Sequence, residues 1–427
     1  MMKLFLFEWK KILKKKTTWV LLILSLTATI GIYFFHLSLA NNVEQKVINH
    51  YDFLINLSLE SAEDSRLAKE KAIKEEDEDL IEQATMEEEH YRTSVEKYQS
   101  AKKSYVDEEW EVLYQRELDS LETYAYPSQY ENAVFIAEGG GEITNFTLRA
   151  TFEERKYMLD HKIDPFIQNT IYDMYLRTAY EDFDSKTLEI WEEMTDRYGK
   201  QGIYYIYQLI QSLYIPIIIL LGCFIFGNTL SSETTKKNNG IRFHQVLPLN
   251  QTKLFVAKYL TGYLGILLFF MLMIVAPLIV GTLMHGFGYL DYPVLIYDGY
   301  TTEDMWKNAM EDTFHFITLQ EYLSKTVWFA LAMSLLIYSL YYLVSQFSKE
   351  PIFNTIIIGV ICFVGMQFQH PYNPFSYLDI DKVISHEIQL ETWNTDITYI
   401  TGIMIMLVIG FIFTVGNYIR FRSRRTN

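Results

Sequence analysis

Six stretches of this chain carry no Asp, Glu, Lys or Arg and are long enough to cross a bilayer: residues 17–43, 201–232, 259–290, 326–348, 351–378 and 397–419. A hydrocarbon core of about 30 Å needs roughly 20 consecutive apolar helical residues. A single charge at its centre costs about 2.5–3.5 kcal/mol on insertion scales. The pattern therefore predicts an all-α polytopic membrane protein. Its expected architecture is six transmembrane helices plus a mostly helical extracellular domain with a small β element.

The charge is distributed unevenly. Residues 41–200 hold 38 acidic and 18 basic side chains, a net of −20, whereas the whole chain of 427 residues is −16, which leaves +4 elsewhere. An acidic domain is thus inserted between the first two spans. Nucleic-acid binding, which needs basic patches, is not expected. The two cysteines, Cys223 and Cys362, both fall inside predicted spans and read as apolar packing residues. The first span is too long for a cleaved signal core, and Tyr33, Phe34, Phe35 and His36 occupy its far end where a small-residue cleavage pattern would stand.

Sixteen basic residues fall on one side of the membrane: Lys3, Lys10, Lys11 and Lys14–Lys16; Lys236, Lys237, Arg242, Lys253 and Lys258; Lys349; and Arg420, Arg422, Arg424 and Arg425. The short loops of the other side supply Lys307, Lys325 and Lys382. The positive-inside rule then places both termini in the cytoplasm of a multi-pass plasma-membrane protein. The expected layout is an amphipathic interfacial helix (1–16), first span (17–40), acidic outer domain (41–200), second span (203–228), cytoplasmic loop (229–252) and third span (254–285). An outer loop (286–325), fourth span (326–347), fifth span (352–370), second outer loop (371–396), sixth span (397–419) and basic tail (420–427) follow. Before the first span, Leu4, Phe5, Phe7, Trp9, Ile12 and Leu13 alternate with lysines as in a helix lying among lipid headgroups; the plainer reading is a basic flank.

Residues 62–126 contain neither Gly nor Pro and are rich in strong helix formers. One helix of that length would reach about 95 Å, so a hairpin of two long helices is expected, with its turn within residues 100–107. Apolar positions recur at helical spacing at Ile73, Leu80, Ile81 and Ala84, and at Trp110, Leu113, Tyr114, Leu118 and Leu121. Pro127 ends this part. Residues 133–136 and 142–148 read as short strands around Gly139–Gly141, and residues 152–197 as a second helical part. The acidic run Glu75–Asp79 reads as a solvated helix face, since a calcium loop would need a glycine and alternating oxygen ligands.

Catalytic motifs are missing. The three glycines at 139–141 lack the Lys-Ser/Thr of a phosphate loop. The nine histidines are scattered, with no metal-ligand spacing. The six charge-free stretches hold no Asp, Glu, Lys or Arg that could relay protons or pair with a coupling ion. The chain has no visible energy source and is not expected to be an enzyme.

The most specific local signal is the loop between the second and third spans. Ser231 or Ser232 is placed to cap a short helix beginning at Glu233, Gly240 permits a turn, and Ile241, Phe243, Val246 and Leu247 make an apolar face that Pro248 ends. Such an element suits a docking partner; an ordinary membrane-surface loop is the bland alternative. Here the chain resembles the permease subunits of ABC-2 type (type-2 ABC) exporters. The resemblance rests on Glu233, Gly240, Leu247-Pro248 and Lys258 opening the next span. It extends to Phe7-Glu8-Trp9-Lys10-Lys11-Ile12-Leu13 at the start and to Asn373-Pro374-Phe375-Ser376-Tyr377 before the last span. It covers the membrane frame and not residues 41–200.

The resemblance implies a half-transporter that pairs with a second permease copy or a paralogous permease among membrane lipids. It also implies two separate cytoplasmic ABC ATPase subunits, docked through Glu233, Gly240, Ile241, Phe243, Leu247 and Pro248. No cofactor is expected on this chain itself, because ATP would be bound by the partner. The cargo of such exporters is amphipathic or hydrophobic: a peptide such as an antimicrobial peptide, a lipid or a drug. The acidic outer domain favours cationic peptides. Aromatic residues such as Tyr204, Tyr205, Tyr338, Tyr341 and Tyr342 line the spans as cargo walls or as helix packing. Pro216 and Gly222 in span two, and Pro277 and Gly281 in span three, are candidate interruptions, with Pro216 and Pro277 as hinges. The alternative function is a non-transporting scaffold or sensor whose acidic ectodomain binds a ligand.

Overall fold

The computed structural model describes residues 2–126, 135–136, 141–169, 174–181, 183–227, 250–298, 314–348 and 350–423. The chain divides into two compact units, Met1–Phe35 with Lys200–Asn427, and His36–Gly199.

The first unit is a helical membrane bundle. It contains α1 (Met2–Leu13), the start of α2 (Lys16–Glu75), α7 (Gly202–Gln211), α8 (Tyr214–Phe226), α9 (Gln251–His285), α10 (Leu319–Ser345), α11 (Pro351–Met366), α12 (Ile380–Ile384), α13 (Glu387–Thr392) and α14 (Tyr399–Ser423). Among the described residues, four helices, α2, α9, α10 and α14, are long and apolar enough to span a membrane, and α7 with α8 makes a fifth candidate bent by 83°. The remaining charge-free stretch yields α11, apolar but only 16 residues long. Ile352, Phe353, Ile356, Val360 and Phe363 of α11 and Ile400, Met404, Val408, Phe411 and Ile412 of α14 are exposed, at the helical spacing of lipid-facing stripes.

The break in the second span falls at Ser212 and Leu213, and Leu213 takes a left-handed φ of +57°. Pro216 stands in the first turn of α8, where its missing N–H leaves no helix bond unmade. Pro277 lies inside the uninterrupted α9. Gly222 and Gly281 likewise sit within continuous helices, at close contacts. A Cβ on Gly281 would lie 2.8 Å from the Gly202 Cα, so these two glycines let the start of α7 meet the end of α9 backbone to backbone. There Gly202 N–H donates to the Gly286 carbonyl at 3.1 Å and Ile203 N–H to Phe287 at 2.9 Å.

A hairpin of β5 (Pro293–Tyr297) and β6 (Phe314–Thr318), with Val294 opposite Ile317, joins α9 to α10. Tyr297 N–H donates to the Ser385 carbonyl at 2.9 Å, which ties the hairpin to the segment between α12 and α13.

The second unit contains the rest of α2, α3 (Glu78–Val106), α4 (Trp110–Ala125), β1 (Phe135–Ile136), β2 (Glu142–Ile143), α5 (Asn145–His161), β3 (Ile167–Gln168), α6 (Ser185–Thr195) and β4 (Arg197–Tyr198). The helical hairpin is present, but its turn is at Glu76 and Asp77, and a second corner at residues 107–109 leads into α4. The antiparallel pairing is marked by Lys102–Asp52 at 2.6 Å near the base and Lys69–Glu88 at 3.5 Å nearer the turn. The acidic run therefore brackets the turn: Glu76 and Asp77 form it, and Glu75, Glu78 and Asp79 are solvated at the ends of the two helices. Carboxylates oppose the negative C-terminal end of α2 and suit the positive N-terminal end of α3, where Asp77 accepts from Leu80 N–H at 3.2 Å.

Residues 142–148 are only briefly extended. Thr144 accepts from Thr147 N–H and starts α5, so Leu148 is helical rather than in a strand. Its core gathers Leu118, Leu121, Ile143, Leu148, Tyr175 and Trp191. Beside it is a buried ionic group: Arg155 lies 2.7 Å from Glu117, and Glu154 is held by both terminal nitrogens of Arg197 at 2.6 and 2.8 Å.

Candidate functional site

The bundle end that carries both chain termini is built around a buried charge pair. In α1 the inward face carries Glu8 and, one turn on, Ile12. In α9 the inward face near the helix start carries Leu254, Phe255, Lys258 and Thr261. Lys258 Nζ donates to Glu8 Oε1 at 2.8 Å, and each side chain is only 1% exposed. The other carboxylate oxygen of Glu8 faces Lys11 Nζ at 3.9 Å. Burial, and then the charge on Lys258, lower the Lys11 ammonium to about 8.

A pair this deeply buried gains little net stability, because desolvation offsets the attraction. Its effect is on register: neither charge tolerates losing the other, so α1 stays locked on α9.

The adjoining layer is aromatic and hydrogen-bonded. Tyr338 OH donates to the Tyr259 carbonyl at 2.8 Å, and Tyr259 OH meets Thr414 Oγ1 at 2.8 Å. Thr252 Oγ1 meets Tyr418 OH at 2.9 Å. Gln346 Nε2 donates to Asn417 Oδ1 at 2.9 Å, and Asn417 Nδ2 donates to the Ser339 carbonyl at 2.8 Å. These bonds clamp α9, α10 and α14 together beside the start of α9. Asn250 caps that start, its side chain accepting from Thr252 and Lys253 N–H.

Tyr204, Tyr205, Tyr338, Tyr341 and Tyr342 are all buried to 1% or less. Within one chain they are helix packing and form no open wall. Glu233, Gly240, Ile241, Phe243, Leu247 and Pro248 lie outside the described residues. The described chain resumes at Asn250, two residues after Pro248 and eight before Lys258.

At the opposite end of the bundle, the side chains of α10 and α12 meet under α7. Tyr322 OH donates to Asp381 Oδ1 at 2.7 Å, and the Gln211 side chain also hydrogen-bonds Asp381. Burial raises the Asp381 carboxyl to about 7, helped by the charges of Glu387 and Asp379 and opposed by those two hydrogen bonds.

Sequence reasoning placed Glu8 and Lys258 in separate motifs and missed their pairing. A signal existed: Glu8 lies on the Leu4, Phe5, Ile12 side of α1, where a lone carboxylate needs a partner. Asp381 was missed altogether, since nothing local distinguishes it from any surface aspartate. Among the described residues no group of three or more His, Cys, Asp or Glu is placed to hold a metal ion.

In the second unit, a cavity of about 410 Å³ opens where α3 turns into α4. Trp110, Val112, Tyr114 and Ile163 supply its apolar lining, and Glu108, Glu109, Glu111 and Asp164 its acidic part. Lys162 pairs with Glu111 at 2.8 Å.

The sequence profile of a family described as ABC-2 family transporter protein matches residues 15–377. No curated protein and no solved structure matches the chain.

Proposed function

Because the chain belongs to the ABC-2 transporter family, we propose that it is the permease of an ATP-driven exporter for an amphipathic or hydrophobic cargo. The family makes it a multi-pass membrane permease of an ABC transporter, a transmembrane component partnered by an ABC ATPase subunit. Direction, cargo and docking are what the proposal adds.

The observation that carries it is the Glu8–Lys258 lock. Residues 229–249 join α8 to the capped start of α9, and α1 is fixed to that same start. A partner that pulls on this loop therefore moves α9 and α1 as one body. In this reading Glu233 positions the docking element and Phe243 seats its apolar face, on the cytoplasmic side. Hydrolysis in the partner then rocks the spans, with the elbow between α7 and α8 as the yielding joint. The dense polar clamp among α9, α10 and α14 makes them the stiff side.

A cationic amphipathic peptide is the cargo class that best suits the outer unit. Its net charge of −20 over residues 41–200 concentrates cations near the surface, and its cavity joins aromatic lining to carboxylates.

The test is purification of the tagged chain from its native membrane, with ATPase activity assayed in the eluate. A parallel sample carries Glu233→Ala and Phe243→Ala. The expected result is a co-purifying ATPase whose yield drops in the double variant. A chain that elutes without ATPase overturns the docking reading.

A further inference from the structure

The corner where α3 turns into α4 forms one wall of the cavity in the second unit. Helix α3 ends at Val106, Glu108 takes a left-handed φ of +57°, and the Glu109 N–H returns to the Ser104 carbonyl at 2.8 Å. The Glu109 carboxylate also accepts from Ser104 Oγ at 3.0 Å. Trp110 then opens α4 with its ring edge-to-face on Tyr105, centroids 5.5 Å apart. Tyr105 belongs to a core with Val47, Tyr51, Ala101 and Leu113. The indole is therefore held in place while it stays half-buried.

The facing wall is the end of α5. Lys162 takes a left-handed φ of +54° just past His161, and Ile163 N–H donates to the Met158 carbonyl at 3.0 Å, which closes the helix. Tyr114 ties the two walls together: it is 1% exposed, and its OH donates to the Ile163 carbonyl at 2.8 Å. Both walls thus rest on buried groups, and the space of about 410 Å³ between them is preformed. That volume falls in the range of about 300–1,000 Å³ usual for small-ligand sites, enough for one long side chain and its neighbour rather than a whole peptide.

The lining selects the occupant. Glu108, Glu109, Glu111 and Asp164 bring four carboxylates against one ammonium, Lys162. The Arg155 guanidinium lies 5.9 Å from the centre of the Tyr114 ring, but Glu117 balances it at 2.7 Å. Helices α3 and α5 end here with their negative poles, against the single positive pole of α4. No three of the carboxylates are placed as metal ligands, so the fitting cation is organic. The chain already seats one of that kind: Lys162 Nζ lies 2.8 Å from Glu111, with both side chains more than half exposed and open to exchange.

We propose that this cavity binds one basic side chain of a cationic amphipathic peptide, an arginine above all, with its guanidinium among the carboxylates and its stem on Trp110. The planar guanidinium fork matches carboxylates and its face stacks on an indole. The methylene stem covers the apolar surface of Val112 and Ile163. Lys162 is then a resident competitor, displaced from Glu111 as the peptide enters. The proposal rests on the reading of the second unit as the collector of a cationic cargo, and adds the place and the group recognised.

The test is saturation-transfer NMR on the full chain in nanodiscs of uncharged phosphatidylcholine, with empty nanodiscs subtracted. The probe is a blocked leucyl-arginyl-leucine tripeptide, and the control is the same peptide with citrulline, the neutral isostere of arginine. The arginine peptide is expected to bind saturably, at least about tenfold tighter than the citrulline peptide. Lys162→Asn removes the competitor and suits a left-handed backbone, so it should tighten binding by about two- to fivefold. Trp110→Leu should weaken it by about two- to fivefold. Absence of arginine binding, equal affinity for the two peptides, or a Lys162→Asn chain that binds no tighter overturns the proposal, as does a folded Trp110→Leu chain with native affinity. If Trp110→Leu does not fold, the exposed Lys162 still decides the matter. Binding is read without ATPase or transport, so a co-purifying ATPase with no arginine binding removes the cavity assignment and leaves the exporter reading standing.

Discussion

Glu8 and Lys258 are the residues on which the termini end of the bundle depends most. Removing one partner leaves a buried charge, so Glu8→Ala is expected to cost about 3–5 kcal/mol, read as a lowered thermal midpoint in detergent. Glu8→Leu with Lys258→Met removes both charges and should recover most of that loss. A double variant no more stable than Glu8→Ala would mean the pair is not the cause. Gly281 is a second such position. Its missing Cβ leaves room for the Gly202 backbone, which cannot rotate away as a side chain would. Gly281→Ala is expected to destabilise by about 1–3 kcal/mol through overpacking. Gly31, around which nothing lies within 4 Å, provides the control: Gly31→Ala should not destabilise.

At the scale of elements, the α2–α3 hairpin shows how charge order places a turn. Five consecutive carboxylates, Glu75–Asp79, cannot all favour one helix. Splitting them puts Glu78 and Asp79 in the first turn of α3 and leaves Asp77 as its cap. Asp77→Ala should cost about 1 kcal/mol and fray the start of α3, seen as faster amide exchange at residues 78–82 without change in α4. The same reasoning accounts for the strand expected at 142–148, which stops early because Thr144 caps a helix. Apolar periodicity marked α4 well: Leu113, Tyr114, Leu118 and Leu121 are all buried. It marked the hairpin tip poorly, since Ile73 and Leu80 are largely exposed.

For the whole molecule, the charge asymmetry of the loops predicts that the termini face the cytoplasm. With Cys223 and Cys362 replaced by Ser, a Ser423→Cys variant should react with a membrane-impermeant maleimide only after cells are opened. An Asp291→Cys variant should react in intact cells. The reverse pattern would invert the topology and place the 229–249 loop beyond reach of a cytoplasmic ATPase. The two units also obey different solvents. The membrane bundle exposes apolar stripes and buries Tyr204, Tyr205, Tyr338, Tyr341 and Tyr342, whereas the second unit buries apolar helix faces and keeps most of its many charges in water.

The sequence by itself determined the solvent of each segment, and with it the all-α membrane class, because uncharged runs of about 20 residues are stable in lipid and costly in water. Motif order also pointed to the family. What tertiary structure alone decided were the meetings between distant positions. Glu8 lies 250 residues from Lys258, Tyr322 lies 59 from Asp381, and Gly202 meets Gly281 across a helix crossing. Periodicity reports which face of a helix is apolar but not which helix will face it. It therefore could not show that Glu8 has a partner, that Asp381 lies at a joint, or that the second span bends before its proline rather than at it.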